Sequence, residues 1–88
     1  MKIELQYTKS FVKSVRKIPP NQQIKLAKLL GVLEIQPYSP LLHTKPLTGK
    51  LTGFYSFRIT REYRVIFQFI ESMIIKLIDI AHRKDIYR

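Results

Sequence analysis

Arginine recurs among aromatic residues in the second half of this chain. Arg58, Arg61 and Arg64 lie within the run Phe54-Tyr-Ser-Phe-Arg-Ile-Thr-Arg-Glu-Tyr-Arg-Val-Ile-Phe-Gln-Phe69, and His82, Arg83 and Tyr87 fall within Ala81-His-Arg-Lys-Asp-Ile-Tyr-Arg88. Guanidinium groups stay charged at working pH and hold two phosphate oxygens at once. Fixed on a stiff strand, they also suit the extra negative charge of a phosphorane-like transition state. Histidine is the side chain that ordinarily titrates nearest neutrality, so His82 is a candidate acid or base. A phenol set among arginines loses its proton more readily, which makes Tyr87 a second candidate base.

Other chemistries lack their residues. There is no cysteine, hence no disulfide, thiolate metal site or cysteine nucleophile. The two histidines, His43 and His82, are too few for an all-histidine metal cage. Paired carboxylates, a His-x-x-x-His motif and a serine–histidine–aspartate set are also missing. Lys45-Pro-Leu-Thr-Gly-Lys-Leu-Thr-Gly53 does not have the glycine spacing of a phosphate-cradling P-loop. Catalysis is therefore expected to rest on positioned cations, with no cofactor and no metal.

The elements that must position these residues can be read from periodicity. Ile3, Leu5 and Tyr7 alternate with polar residues as in a strand with one buried face. Thr8 fits a helix N-cap, followed by Phe11, Val12, Val15 and Ile18 at helical spacing. Pro19-Pro20-Asn21 ends that helix and starts a second, which carries Ile24, Leu26, Ala27, Leu29, Leu30 and Leu33 and stops near Gln36. Residues 37–53 form a proline- and glycine-marked basic loop containing Lys45 and Lys50. Three strands follow, so the predicted fold is α+β: a helical hairpin on a small curved, mostly antiparallel sheet in the order β-α-α-β-β-β, one domain over residues 1–88.

Strand faces follow from the alternation. A turn at Thr60-Arg61-Glu62 pairs Ile59 with Tyr63 and sets Arg58 opposite Arg64, which keeps the aromatics on one face. That like-charge pair is unfavourable unless an anion sits beside it. A turn at Glu71-Ser72 then sets Arg64 opposite Asp79 and brings Arg83 to the same side. The expectation is an open face bearing Arg58, Arg64, Arg83 and Asp79, with Ile66, Ile75 and Leu77 as an exposed apolar patch, and His82 on the other face.

Sixteen Lys and Arg against six Asp and Glu give a net charge of +10, and 45% of the residues are hydrophobic, normal for a folded domain. Such an excess points to an anionic partner, nucleic acid first and an acidic protein segment second. Glu4 interrupts what a signal peptide would need, and no apolar run is long enough to span a bilayer. A soluble, cytoplasmic protein without a membrane partner is expected.

Across nearly its full length the chain resembles the RelE/ParE superfamily of toxins from toxin–antitoxin pairs. The shared pattern is a strand, a helical hairpin, a Leu-x-Gly loop (Leu47-Thr-Gly49), Tyr63-Arg64-Val65 opening a strand, and His82-Arg-x-x-hydrophobic-Tyr87. For RelE-like members the resemblance implies ribosome-dependent mRNA cleavage in which the RNA's own 2′-hydroxyl attacks. It assigns transition-state stabilisation to Arg64, help in protonating the leaving oxygen to Arg83, and the general base to Tyr87. Arg58 matches a family lysine, Ser56 replaces another, and His82 can share the acid–base role. Lys45, Lys50 and Arg61 would contact RNA. The partners implied are a cognate acidic, RelB-like antitoxin, the ribosome and mRNA. The alternatives are a ParE-like DNA gyrase poison on the same fold and a non-catalytic basic RNA-binding module.

Overall fold

A computed structural model describes residues 2–86. Strand β1 (Glu4–Tyr7) runs into helix α1 (Lys9–Val15), and Thr8 makes the junction. Its hydroxyl accepts from the Phe11 N–H at 3.1 Å and donates toward the carbonyls of Leu77 and Ile78, at 2.8 and 2.9 Å. Helix α2 (Pro20–Ile35) has Pro20 in its first turn, where the missing N–H costs nothing, and gives way at Gln36 before Pro37.

The basic loop is more structured than expected. It contains a two-residue strand β2 (Lys45–Pro46) and a 3-10 turn at Gly49–Leu51, and Gly49 at φ 63° and Gly53 at φ 97° supply its left-handed bends. Leu42, fully buried, anchors the loop, and its carbonyl accepts from the Arg58 N–H at 2.8 Å. Strands β3 (Tyr55–Arg58), β4 (Tyr63–Glu71) and β5 (Ile74–His82) follow, then a helical turn, α3 (Arg83–Ile86).

The sheet order is β1-β5-β4-β3-β2, with β1 parallel to β5 and the other pairs antiparallel. The α+β fold is as anticipated, with β2 added at one edge. Phe11, Leu26, Leu29 and Leu33 from the helices pack on Phe57, Val65, Phe67, Ile75 and Leu77 from the sheet, and these form the core. Among the described residues no helix is long and apolar enough to cross a membrane.

The β3–β4 register is the one the alternation selects, with Arg58 opposite Arg64. The turn lacks glycine because Thr60 substitutes for it. Its hydroxyl accepts from the N–H groups of Glu62 at 3.3 Å and Tyr63 at 3.1 Å. The β4–β5 hairpin departs from expectation. Its two-residue turn is Ser72-Met73, closed by Glu71 opposite Ile74, and Ile70 and Ile78 each lack a partner on the facing strand.

These one-residue irregularities change the faces. Ile75 and Leu77 pair with Phe69 and Phe67 and are fully buried in the core, so they are not part of an exposed patch. Arg64 stands opposite Ala81 rather than Asp79. Asp79 instead accepts from the hydroxyls of Ser10 and Ser14 on α1, so it does not orient Arg64. Of the apolar residues assigned to the helices, Ile24 is 62% exposed.

Thr8 therefore ties α1 to β5 at the irregularity. Thr8→Val keeps the shape and removes both the cap and the grip on β5. It is expected to cost about 1–2 kcal/mol of stability, the usual worth of a cap. Urea denaturation measures this, and an unshifted midpoint would show that the junction is held by packing alone.

Candidate functional site

Two groups of candidate residues come together on the sheet. On the side away from the core, Ser56 and Arg58 of β3 face Ile66 and Arg64 of β4, and Ala81 of β5 lies on Arg64's other flank. This face is covered, not open as expected, since Arg64 is only 4% exposed and Ser56 is fully buried. Leu47 and Ile86 are also buried, yet both stand outside the main core. They meet across a recess of about 660 Å³ that Lys50 and Asp85 also line, so the Leu-x-Gly loop and α3 share one wall of the molecule.

Burial makes the arginine pair chemically significant. A guanidinium withdrawn from water interacts more strongly with any anion that reaches it. The Nε of Arg58 and the hydroxyl of Ser56 are buried and have no hydrogen-bond partner among the described residues. Leaving a buried polar group unpaired costs about 1–3 kcal/mol, so both are poised to receive an acceptor.

The second group lies where the β3–β4 turn meets the end of β5. Arg61, Glu62, His82, Arg83 and Lys84 line a recess of about 300 Å³ there. His82 Nε2 is 3.8 Å from a Glu62 carboxylate oxygen, and its ring stands edge-on to Tyr63 with centroids 5.4 Å apart. Arg83 is not on a strand, because β5 ends at His82. It is exposed in the first turn of α3, and its backbone N–H donates to the Glu62 carbonyl at 2.7 Å. With the strand ended, the alternation that set His82 against Arg83 no longer applies.

Of the loop lysines, Lys45 sits exposed in β2 opposite Ser56, and Lys50 is exposed beside Asp85. Tyr87 lies outside the described residues. Among the described residues no group of three or more His, Asp or Glu is clustered to hold a metal ion. Sequence reasoning missed that Leu47 and Ile86, both within the motifs it singled out, line one recess. It also missed Glu62, whose pairing with His82 joins the β3–β4 turn to the end of β5 and leaves no local signal.

A sequence profile described as the RelE-like toxin of type II toxin–antitoxin system HigB matches residues 5–82. The chain is 32% identical over 44 residues to Toxin YoeB of Mycobacterium bovis and to Toxin RelK of Mycobacterium tuberculosis. Each match covers 50% of this chain and 52% of the relative, so the chain spans about half the length of these curated relatives. The fold is similar to that in the toxin–antitoxin complex RelBE2 from Mycobacterium tuberculosis, with TM-score 0.77, 22% identity, and coverage of 94% of this chain and 100% of that one. It is also similar to the archaeal RelE–RelB complex from Pyrococcus horikoshii, with TM-score 0.76, 24% identity, and coverage of 94% and 97%. The E. coli DinJ–YafQ toxin–antitoxin complex gives TM-score 0.77 at 14% identity, with both chains fully covered.

Ser56→Ala removes a buried hydroxyl that has no partner. Its stability is expected to rise by up to about 1 kcal/mol, or to hold level. A denaturation midpoint that falls clearly would show that the hydroxyl is already satisfied.

Proposed function

This chain belongs to the RelE-like toxins of type II toxin–antitoxin systems, and from that premise we propose that it is a ribosome-dependent mRNA endonuclease held inactive by a cognate acidic antitoxin. The observation that carries the reading is the facing of Arg58 and Arg64 across β3 and β4, with Arg64 buried and the Arg58 Nε offered inward without a partner among the described residues. Two cations held at one spot, against their mutual repulsion, suit a phosphodiester better than they suit a core.

In this reading Arg58 binds a non-bridging oxygen of the scissile phosphate. The adjacent 2′-hydroxyl gives its proton to the Tyr87 phenolate, and its oxygen attacks phosphorus. Arg64 stabilises the added charge of the five-coordinate transition state. The 5′-oxygen departs with its bonding pair and takes up a proton with help from Arg83, leaving a 2′,3′-cyclic phosphate and a 5′-hydroxyl. Lys45, Lys50 and Arg61, all exposed, contact the RNA backbone. No metal is assigned a step.

The antitoxin cannot dock on Ile75 and Leu77, which are buried in the core. Between α1 and α2 runs an apolar groove of about 300 Å³ lined by Val12, Val15, Leu26 and Leu30. Tyr7 and Val12 are exposed on it, and Lys9, Lys13 and Arg16 line the neighbouring recess. Apolar floor and cationic rim together fit an acidic amphipathic segment that folds as it binds.

Three outcomes test this reading. Primer extension on translated mRNA should find new 5′ ends within coding frames, and Arg64→Met should reduce cleavage on the order of 100-fold or more without lowering the melting temperature. Intact mRNA accompanied by gyrase–DNA cleavage complexes would replace the nuclease with the gyrase poison. Affinity for ribosomes should fall steeply as salt rises, since each neutralised phosphate releases counterions, and Lys45→Ala with Lys50→Ala should flatten that slope. Val12→Glu should weaken antitoxin binding in calorimetry at least about tenfold while cleavage persists, because a charge in the groove loses the desolvation benefit. Undiminished binding would move the contact off α1.

A further inference from the structure

We propose that His82 is a positioning residue rather than a proton-transfer group: it is the N-cap of α3, and only its neutral form can hold that turn in place. The proposal rests on the nuclease reading for its effect on cleavage, but its structural core stands apart from that reading.

The geometry assigns the role. His82 is the residue immediately before α3, the N-cap position, and its Nδ1 accepts from the Lys84 N–H at 3.2 Å. Lys84 is the second residue of the turn, and it is the N–H of the second or third residue that an N-cap side chain satisfies. The N–H of the first residue, Arg83, is taken by the Glu62 carbonyl. The first two donors of α3 are thus supplied with acceptors by the same corner of the molecule.

An imidazole can do this only with Nδ1 bare, so the proton of the neutral ring must sit on Nε2. Nε2 is the nitrogen that faces the Glu62 carboxylate at 3.8 Å, and a carboxylate on that side favours this tautomer. Tyr63, edge-on to the ring, restrains its plane. Nδ1 is engaged by the Lys84 N–H, and Nε2 is turned toward Glu62.

Protonation would reverse the arrangement. A charged ring donates from both nitrogens, so Lys84 loses its acceptor while the Glu62 contact becomes a true ion pair. The charged groups around the ring oppose one another. Glu62, Arg61, Arg83 and Lys84 line the recess with the ring, and Lys17 shares a second recess with Tyr63. Acidification therefore trades the cap of α3 for a contact within the β3–β4 turn. Since α3 carries Arg83 and Ile86 and directly precedes Tyr87, loosening it would withdraw part of the site.

The test compares His82→Asn with His82→Ala in the full-length protein. Asparagine is a good N-cap with an acceptor at similar reach and no titration. His82→Ala should lose cleavage by about three- to thirtyfold, the population shift that loss of a cap produces. His82→Asn should recover most of that loss and lack the decline seen on the acid side of the wild-type pH profile. If His82→Asn is as inactive as His82→Ala, the imidazole itself handles the proton and the proposal is overturned. A second readout needs no activity. In nitrogen-15 spectra of the wild type, the Lys84 amide should shift in step with the His82 ring as the pH is lowered, and its exchange protection should fall on the acid side. In the asparagine variant that amide should stay protected throughout. A Lys84 amide indifferent to His82 would overturn the proposal even in a protein that cleaves no RNA, and absence of cleavage with the amide behaviour intact would count against the nuclease reading alone.

Discussion

Ile78 has no partner on β4, and that one unpaired residue lets β5 serve both faces of the sheet. Before it, Ile75 and Leu77 point at the helices and are fully buried. A strict period of two would send residues 79 and 81 the same way. The inserted residue resets the phase, so the small side chain of Ala81, not a bulky one, flanks Arg64. The interruption also leaves backbone carbonyls and a carboxylate to be satisfied at the sheet edge. Thr8 takes the carbonyls of Leu77 and Ile78, and Ser10 and Ser14 take Asp79. Helix α1 is therefore fixed to the point at which the sheet changes face. The arginine face and the core cannot shift independently.

The arginine pair sits on this frame at a cost. Like charges at facing positions destabilise a strand pair, and withdrawing water from one of them strengthens the repulsion. Arg58 is half-buried, and its Nε has no hydrogen-bond partner among the described residues. The net charge of +10 adds a diffuse repulsion on top of the local one. Any anion that enters relieves both, which gives phosphate and carboxylate partners a shared thermodynamic advantage.

How much of this was legible in the sequence depends on whether residue types distinguish the alternatives. The β3–β4 register was legible because Tyr55, Phe57, Tyr63, Val65 and Phe67 mark one face, while Ser56, Arg58 and Arg64 mark the other. The Thr8 cap and the Pro19-Pro20 boundary were legible for the same reason, each being a residue with one natural place. The second hairpin was not. Ile70, Ile74, Ile75, Ile78 and Ile80 supply an apolar residue at both parities, so alternation fits two registers equally and an inserted residue leaves no mark. Burial of Arg64 was hidden differently. Alternation says which face a residue takes but not whether that face is covered, and Arg64 is only 4% exposed. Arg83 was misplaced because face alternation was carried past His82, where the strand ends.

The position of α3 follows from its length. Four residues cannot sustain a helix by themselves, since nucleation costs more than the few hydrogen bonds return. Its supports include the Glu62 carbonyl on the Arg83 N–H, the His82 ring on the Lys84 N–H, and the burial of Ile86. Such an element sits at the low end of the local stability range and opens without unfolding the core. The core does not depend on it, for Ile86 lies outside the cluster formed by the helices and the sheet. A partner that competes for Leu47, or for the corner at Glu62, could therefore detach α3 and Arg83 while leaving the arginine face intact. Arg64, by contrast, is buried within β4 and is reached only by opening the sheet around it.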